Sequence, residues 1–149
     1  MIRAVLDANV LVSASFTAKT PPGQILDAWR ARRFTTVFSD AILAEVGRVF
    51  RYPKIQNRHR WPEPRVRLFL RHLRRLSVLT PGTLQVHVVA EDPDDDKYLA
   101  CALEGGAGYL VTGDRHLLGL KQYRGVRILS PRSFLEIIRR GATRPGLPR

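Results

Sequence analysis

Four carboxylates lie at positions where a hydrolytic site could form: Asp7, Glu45, Asp96 and Asp114. Asp7 and Asp114 each follow a strand-like apolar run, and open parallel sheets bind ligands at the carboxyl ends of their strands. Carboxylates gathered at one sheet edge repel one another unless a cation neutralises them. Ligand sets made only of oxygen select hard cations such as Mg²⁺ or Mn²⁺, which activate water and stabilise in-line displacement at phosphorus. The pattern therefore indicates metal-dependent hydrolysis of a phosphate ester.

Each of these acids also has a plainer explanation. Asp7 could cap the turn after its strand, and Asp114 could cap the short helix that follows it. Glu45 lies at the edge of the apolar stripe of its helix and, taken alone, is typical of a solvated glutamate. Asp96 fits such an explanation poorly, because it shares an apolar helix face with Leu99, where an unpaired charge is costly.

A knot of negative charge surrounds the third acid in an otherwise basic chain. Five of the 13 acidic residues fall within six positions: Glu91, Asp92, Asp94, Asp95 and Asp96. Acids in the first turn of a helix stabilise it through the helix dipole, which explains Asp94 and Asp95 without any chemistry. The chain as a whole carries 25 Lys and Arg residues and a formal charge of +12. This balance predicts a polyanionic partner, in the first place a nucleic acid, with an acidic protein as the alternative.

Ten of the basic residues lie between positions 46 and 79, beside a single acid. Three arginines of the helix predicted at 63–76 recur at i, i+4 and i+7: Arg67, Arg71 and Arg74. The planar guanidinium group suits phosphate, and Trp61 and Tyr52 could stack on bases. A solvated arginine face and a surface for an acidic partner protein are the alternatives. A second RNA path would follow Arg115 and Lys121, beside the fourth acid.

Length and composition predict one domain with a buried core, since the chain has 149 residues of which 44% are hydrophobic. No apolar run approaches the ~20 residues that span a bilayer, and no signal peptide is visible, so we expect a cytoplasmic protein without a membrane segment. The single cysteine, Cys101, is expected in the core. The four histidines lack the spacing of metal ligands, which argues against a zinc site.

Strand-like and helical runs alternate along the chain. Strands are predicted at 2–6, 34–38, 77–80 or 84–89, 109–112 and 126–129. Helices are predicted from 21 to about 33, from 39 to before 53, at 63–76, from the acidic knot to 105–106, and at 131–140. This alternation predicts an α/β fold in which helices cover both faces of a parallel sheet. Residues 1–140 would form this domain, and 141–149 a disordered basic tail.

Four segments in this order resemble the PIN-domain ribonucleases and are especially similar to the VapC-like toxins of toxin–antitoxin pairs. They are VLDANVLVSA (5–14), SDAILAEV (39–46), DPDDDKYLACA (92–102) and YLVTGDRHLL (109–118), and the resemblance covers roughly residues 2–138. It implies four catalytic and metal-binding acids with two supporting residues: Asp7 with Asn9, Glu45, Asp96, and Asp114 with Thr112.

The resemblance further implies a three-layer α/β/α sandwich with strand order 3-2-1-4-5 and an endoribonuclease that depends on Mg²⁺ or Mn²⁺. Its substrate would be single-stranded or structured RNA, and its partners a cognate antitoxin and a second copy of the chain. A non-catalytic RNA- or antitoxin-binding module is the main alternative, although it would not need four acids. A phosphatase with Asp7 as nucleophile is a weaker one, because Asn9 stands where that chemistry needs a second acid.

Overall fold

Strands and helices alternate along the chain in a computed structural model that describes residues 1–87 and 96–143. The strands are β1 (Arg3–Leu6), β2 (Thr35–Ser39), β3 (Ser77–Thr80), β4 (Tyr109–Val111), β5 (Gln122–Tyr123) and β6 (Val126–Leu129). The helices are α1 (Ala8–Phe16), α2 (Pro21–Arg30), α3 (Asp40–Phe50), α4 (Pro53–His59), α5 (Glu63–Leu76), α6 (Asp96–Glu104), α7 (Arg115–Leu120) and α8 (Pro131–Thr143).

The six strands form one sheet in the order β3-β2-β1-β4-β6-β5. At its centre Ala4 lies between Thr36 on β2 and Tyr109 on β4, and the strands run parallel except for the β5–β6 pair. The five strands predicted from the sequence stand in the predicted order, so the α/β class is confirmed. The sheet is mixed because β5 is an additional antiparallel strand at its edge.

Helices cover both faces of this sheet. Crossovers between parallel strands are right-handed, so the helices between β1, β2 and β3 lie on one face and α6 lies on the other. Trp29 on α2 meets Phe69 on α5 edge to face, with ring centroids 6.2 Å apart. Helix α6 packs on β1, β2 and β4. It is followed by Gly105, where a Cβ would come within 2.2 Å of Val37 Cγ1, so only glycine lets the helix end this close to β2.

Several boundaries differ from those predicted. Helix α2 ends at Arg30 rather than near 33. It cannot continue further because Arg32 has a φ of 59°, in the left-handed region, which a right-handed helix does not include. Helix α8 runs to Thr143, beyond the predicted end at 140, and residues 144–149 of the expected tail lie outside the described residues. Neither α1 nor α4 was predicted. Within the described ranges no helix is both long and apolar enough to cross a membrane.

An aromatic cluster fixes the basic α4–α5 segment against α3. Phe50 is fully buried, and its ring centroid lies 5.4–5.6 Å from those of His59, Trp61 and Phe69. His59 Nδ1 accepts the backbone N–H of Trp61 at 2.8 Å, so a neutral ring donates from Nε2 to the Phe50 carbonyl at 2.9 Å. The suggestion that Trp61 stacks on bases was wrong: its side chain is 7% exposed, and the Arg65 guanidinium lies over its ring.

Candidate functional site

Asp7 lies at the carboxyl end of β1, directly before α1. Its Oδ1 accepts the backbone N–H of Asn9 at 3.0 Å and caps α1, while its Oδ2 accepts the Thr112 hydroxyl at 2.8 Å. The carboxyl is only 5% exposed. Burial raises the pKa of Asp7 and the charge of Glu45 adds to the rise, while the hydrogen bonds from Asn9 and Thr112 oppose it. Asn9 therefore supports Asp7 through its main chain, and its own side chain is exposed.

Thr112 joins two of the predicted acids at the ends of neighbouring strands. Its fully buried hydroxyl donates to Asp7 and accepts the backbone N–H of Asp114 at 3.0 Å. Asp114 Oδ1 in turn accepts the backbone N–H groups of His116 and Leu117, at 2.7 and 3.2 Å, and so caps α7. The structure brings the ends of β1 and β4 together as predicted, and the plainer helix-cap explanation of Asp114 also holds.

Glu45 lies on α3, which begins where the Ser39 side chain accepts the backbone N–H of Ile42. The glutamate side chain is 24% exposed, and both of its oxygens have protein partners. Lys97 Nζ donates to Oε1 at 2.8 Å, and the Tyr98 hydroxyl donates to Oε2. Burial acts to raise the pKa of Glu45, but the hydrogen bonds and the positive charge of Lys97 outweigh it, so the pKa is lowered. Glu45 is thus an ionised carboxylate held on both sides.

Lys97 and Tyr98 contact the candidate residue Glu45 and were not predicted from the sequence. Tyr98 is 3% exposed, and its hydroxyl also accepts the backbone N–H of Ala8 at 3.4 Å. Burial raises the pKa of Tyr98, and the charges of Asp7 and Glu45 act in the same direction, so the phenol stays protonated and can donate. The available signal was their position in the chain, directly after the third acid.

Asp96 is the first residue of α6 and is 7% exposed. Its side chain lines a cleft of about 240 Å³ with Lys97, Ala100 and residues 84–87. The chain just before residues 84–87 is held by Glu104, whose carboxylate accepts the backbone N–H groups of residues 82, 83 and 84 at 3.0–3.1 Å. The neighbouring acids of the knot, at 91–95, lie outside the described residues.

The chemistry of these donors fits a hard cation, because every candidate ligand is a carboxylate oxygen, and Mg²⁺ needs only one or two of them. Across residues 1–87 and 96–143, however, no three His, Cys, Asp or Glu side chains are arranged to hold a metal ion. The oxygens of Asp7 and Glu45 already accept hydrogen bonds, and the Lys97 ammonium supplies a positive charge at Glu45. The convergence of all four acids on one ion stays a prediction.

The predicted arginine stripe lies on α5, beside α3. Arg74 pairs with Asp40 at 2.6 Å, and Arg67 pairs with Glu63 at 3.5 Å. Arg71 and Arg74 line a groove of about 400 Å³ that α3 borders with Asp40, Leu43 and Ala44. Exposed ion pairs contribute only ~0–1 kcal/mol, so these guanidinium groups can exchange a carboxylate for a phosphate. Arg115 is exposed at the start of α7, next to the fourth acid.

Comparison with known proteins identifies the family. A family model described as PIN domain matches residues 3–116, a range that includes all four candidate acids. The chain is also 28% identical over 143 residues to an uncharacterized protein of Methanocaldococcus jannaschii, with 91% of this chain and 90% of that protein covered. PIN domains are generally nucleases, and PIN-domain nucleases typically use divalent metal ions. From its fold and this match, the chain belongs to the PIN-domain family.

Proposed function

We propose that this protein is a metal-dependent endoribonuclease that hydrolyses phosphodiester bonds in RNA. The observation that carries the proposal is Asp7, a carboxyl that is 5% exposed at the end of the central strand β1 of a PIN-domain sheet. Burial and the nearby charge of Glu45 make its ionised form costly. A carboxyl buried at such a cost at the carboxyl end of a parallel strand is typical of functional residues.

In this proposal Asp7, Glu45, Asp96 and Asp114 form the catalytic, metal-binding set. Mg²⁺ or Mn²⁺ would supply charge stabilisation at the phosphate and activation of the attacking water. Thr112 directs one oxygen of Asp7 and ties it to the β4 end that carries Asp114. The lowered pKa of Glu45 keeps that side chain ionised at neutral pH.

The direct test is cleavage of RNA by purified protein in the presence of Mn²⁺. We expect fragments of defined length with Mn²⁺ and none after excess EDTA, and activity should return when Mn²⁺ is restored. Cleavage that persists in EDTA would mean that the metal-dependent assignment is wrong. The Asp7→Asn protein, purified in parallel, controls for a contaminating nuclease.

Addition of Mn²⁺ is expected to raise the melting temperature of the protein. A ligand that binds only the native state at 100 times its Kd stabilises by about 2.7 kcal/mol, which corresponds to roughly 5–10 °C for a domain of this size. Differential scanning calorimetry of the protein dialysed against EDTA and then given millimolar Mn²⁺ measures the shift. Asp7→Asn should shift less, because it removes one carboxylate. An unchanged melting temperature would contradict a preformed cation site.

A non-catalytic RNA- or partner-binding module is the second candidate. Two observations favour it: no three acids of the described residues are arranged to hold a metal ion, and the Lys97 ammonium already pairs with Glu45. This candidate predicts RNA binding without cleavage and no Mn²⁺ shift, so the two experiments above distinguish it from the endoribonuclease.

Replacement of Arg67, Arg71 and Arg74 by alanine is expected to weaken RNA binding for all sequences. Each phosphate contact to a single strand contributes roughly 0.7 to the slope of log association constant against log salt concentration. Loss of three contacts should therefore make this slope less steep by about 2. Fluorescence anisotropy at several salt concentrations measures the slope. The matched control removes three exposed arginines near the opposite edge of the sheet: Arg124, Arg127 and Arg132. Equal effects of both triple variants would mean that only net charge matters, and Arg115 then becomes the next candidate.

We also propose that the protein is the toxin of a toxin–antitoxin pair, acting in the cytoplasm as a homodimer. Support comes from the similarity of its four motifs to VapC-like toxins and from a charge of +12 that would attract an acidic antitoxin. Expression of the chain alone and together with any small acidic protein encoded beside its gene tests this. Growth arrest that the neighbour relieves is expected, whereas growth without arrest would contradict the toxin role.

A further inference from the structure

Tyr98 lies between Glu45 and the residue after Asp7, and it belongs neither to the proposed acids nor to their supporting residues. Its side chain comes from α6 and is 3% exposed. A buried phenol normally finds a hydrogen-bond partner, and a neutral main-chain carbonyl would serve. This hydroxyl instead donates to a carboxylate, Glu45 on α3, and accepts the N–H of Ala8, the residue directly after Asp7. Three elements, α1, α3 and α6, therefore meet at one oxygen atom.

The hydroxyl acts on Glu45 together with its neighbour Lys97. A carboxylate with a single partner can still turn about its terminal bond, which is a soft torsion. Here each oxygen has its own donor, with Lys97 on Oε1 and Tyr98 on Oε2. Charge-assisted hydrogen bonds of this kind are stronger than neutral ones, so the pair of donors fixes both the place and the plane of the carboxylate.

The two donors differ in how firmly they are held. The Lys97 side chain is 30% exposed on a flexible stem, whereas the Tyr98 ring is packed in the core. The hydroxyl is also linked to α1, because it accepts the backbone N–H of Ala8, the residue next to Asp7. Tyr98 is thus the rigid member of the pair, and the one that relates Glu45 to Asp7.

We propose that Tyr98 is a positioning residue, which sets the orientation of the Glu45 carboxylate relative to Asp7. The catalytic consequence rests on the proposed nuclease function, but the contact between the two side chains can be tested without it. Tyr98→Phe is the informative change, because it removes the hydroxyl and leaves the ring in the core.

The contact is tested by a double-mutant cycle on unfolding, with Tyr98→Phe and Glu45→Met. Methionine has nearly the length of glutamate but no carboxylate to accept the hydrogen bond. We expect the two changes to be coupled by about fivefold or more in the unfolding equilibrium constant, as for residues in direct contact. The matched cycle with Tyr109→Phe, a tyrosine of β4 whose ring packs on Phe134, should show no coupling. Absence of coupling between Tyr98 and Glu45 would overturn the proposal.

The positioning role is tested by kinetics and by metal binding of Tyr98→Phe. Misplacement of a group near the reacting atoms acts on the chemical step, so kcat should fall by at least about tenfold while KM for RNA is unchanged. For Tyr98→Phe, the Mn²⁺ concentration at half-maximal thermal shift (the Mn²⁺ midpoint) should rise. The control Tyr109→Phe should match the wild type in kcat, in KM and in this midpoint. If the double-mutant cycle shows coupling between Tyr98 and Glu45 but Tyr98→Phe has the wild-type kcat and Mn²⁺ midpoint, the hydroxyl is purely structural. That result would overturn the positioning role. If the wild type cleaves no RNA, the proposed function fails, while the cycle and the Mn²⁺ midpoint still decide whether Tyr98 orients Glu45.

Discussion

Asp7→Asn is expected to lower kcat/KM for RNA cleavage by about 10²- to 10³-fold or more, the range found when one preorganised group that stabilises the transition state is removed from an enzyme. The amide keeps the shape of the side chain and can still cap α1 through its oxygen, so the protein should remain folded. Asp27→Asn is the matched control, because Asp27 is an exposed acid on α2 whose side chain is 60% accessible. Full activity of Asp7→Asn would remove Asp7 from the site.

The same variant has a pH-dependent effect on stability. Because burial raises the pKa of Asp7, the folded state holds its proton more tightly than the unfolded state does. The stabilisation from this proton is complete below the ordinary value of 3.8 and is lost as the pH rises through the raised pKa. Without metal at pH 7, Asp7→Asn should therefore melt at the wild-type temperature or above, and this advantage should shrink as the pH approaches 3.8. Calorimetry in EDTA over this pH range measures it.

Phe50→Ala is expected to cost about 3–5 kcal/mol of unfolding free energy, the usual range for removal of a buried phenyl ring. Phe50 is fully buried at the centre of the cluster that attaches α4 and α5 to α3, so the cavity would open beneath the helix that carries Glu45. Tyr52→Ala is the control: this aromatic lies two residues on, is 52% exposed and should change stability by about 0.5 kcal/mol or less. Urea denaturation of both variants measures the difference, and equal stability would mean that the cluster does not anchor the segment.

The strands could be predicted because buried apolar runs alternate with helices that mostly carry an apolar stripe, whereas their order came from the resemblance to the PIN-domain ribonucleases. Helix α1 could not, since Val10, Leu11 and Val12 are all buried and its sequence lacks helical periodicity. Helix α4 has the opposite problem: His59 is its one buried residue, so it presents no apolar face to detect. Strand β5 has two residues, too few for any pattern.

Part of the site followed from the same reasoning. That Asp7 and Asp114 lie at the same edge of the sheet was predictable, because parallel neighbouring strands end there, whereas the role of Thr112 came from the resemblance to the PIN-domain ribonucleases. The engagement of Glu45 by Lys97 and Tyr98 was not, since it depends on how α3 and α6 pack, which no local spacing encodes. Trp61 was misjudged for a related reason, because composition does not reveal which aromatic residue of a basic segment will be covered.

The two edges of the sheet differ in how readily they could accept a strand from another molecule. Strand β5 forms one edge of the sheet and has only two residues, so it offers few free main-chain groups to another strand. It is flanked by Lys121 and Arg124, whose positive charges would repel a second copy of this edge. Strand β3, terminal at the other side within the described residues, has four residues and presents Leu79 at 44% exposure. Aggregation by edge-to-edge pairing would therefore begin at β3, and Leu79→Lys is the substitution that would protect the protein at high concentration.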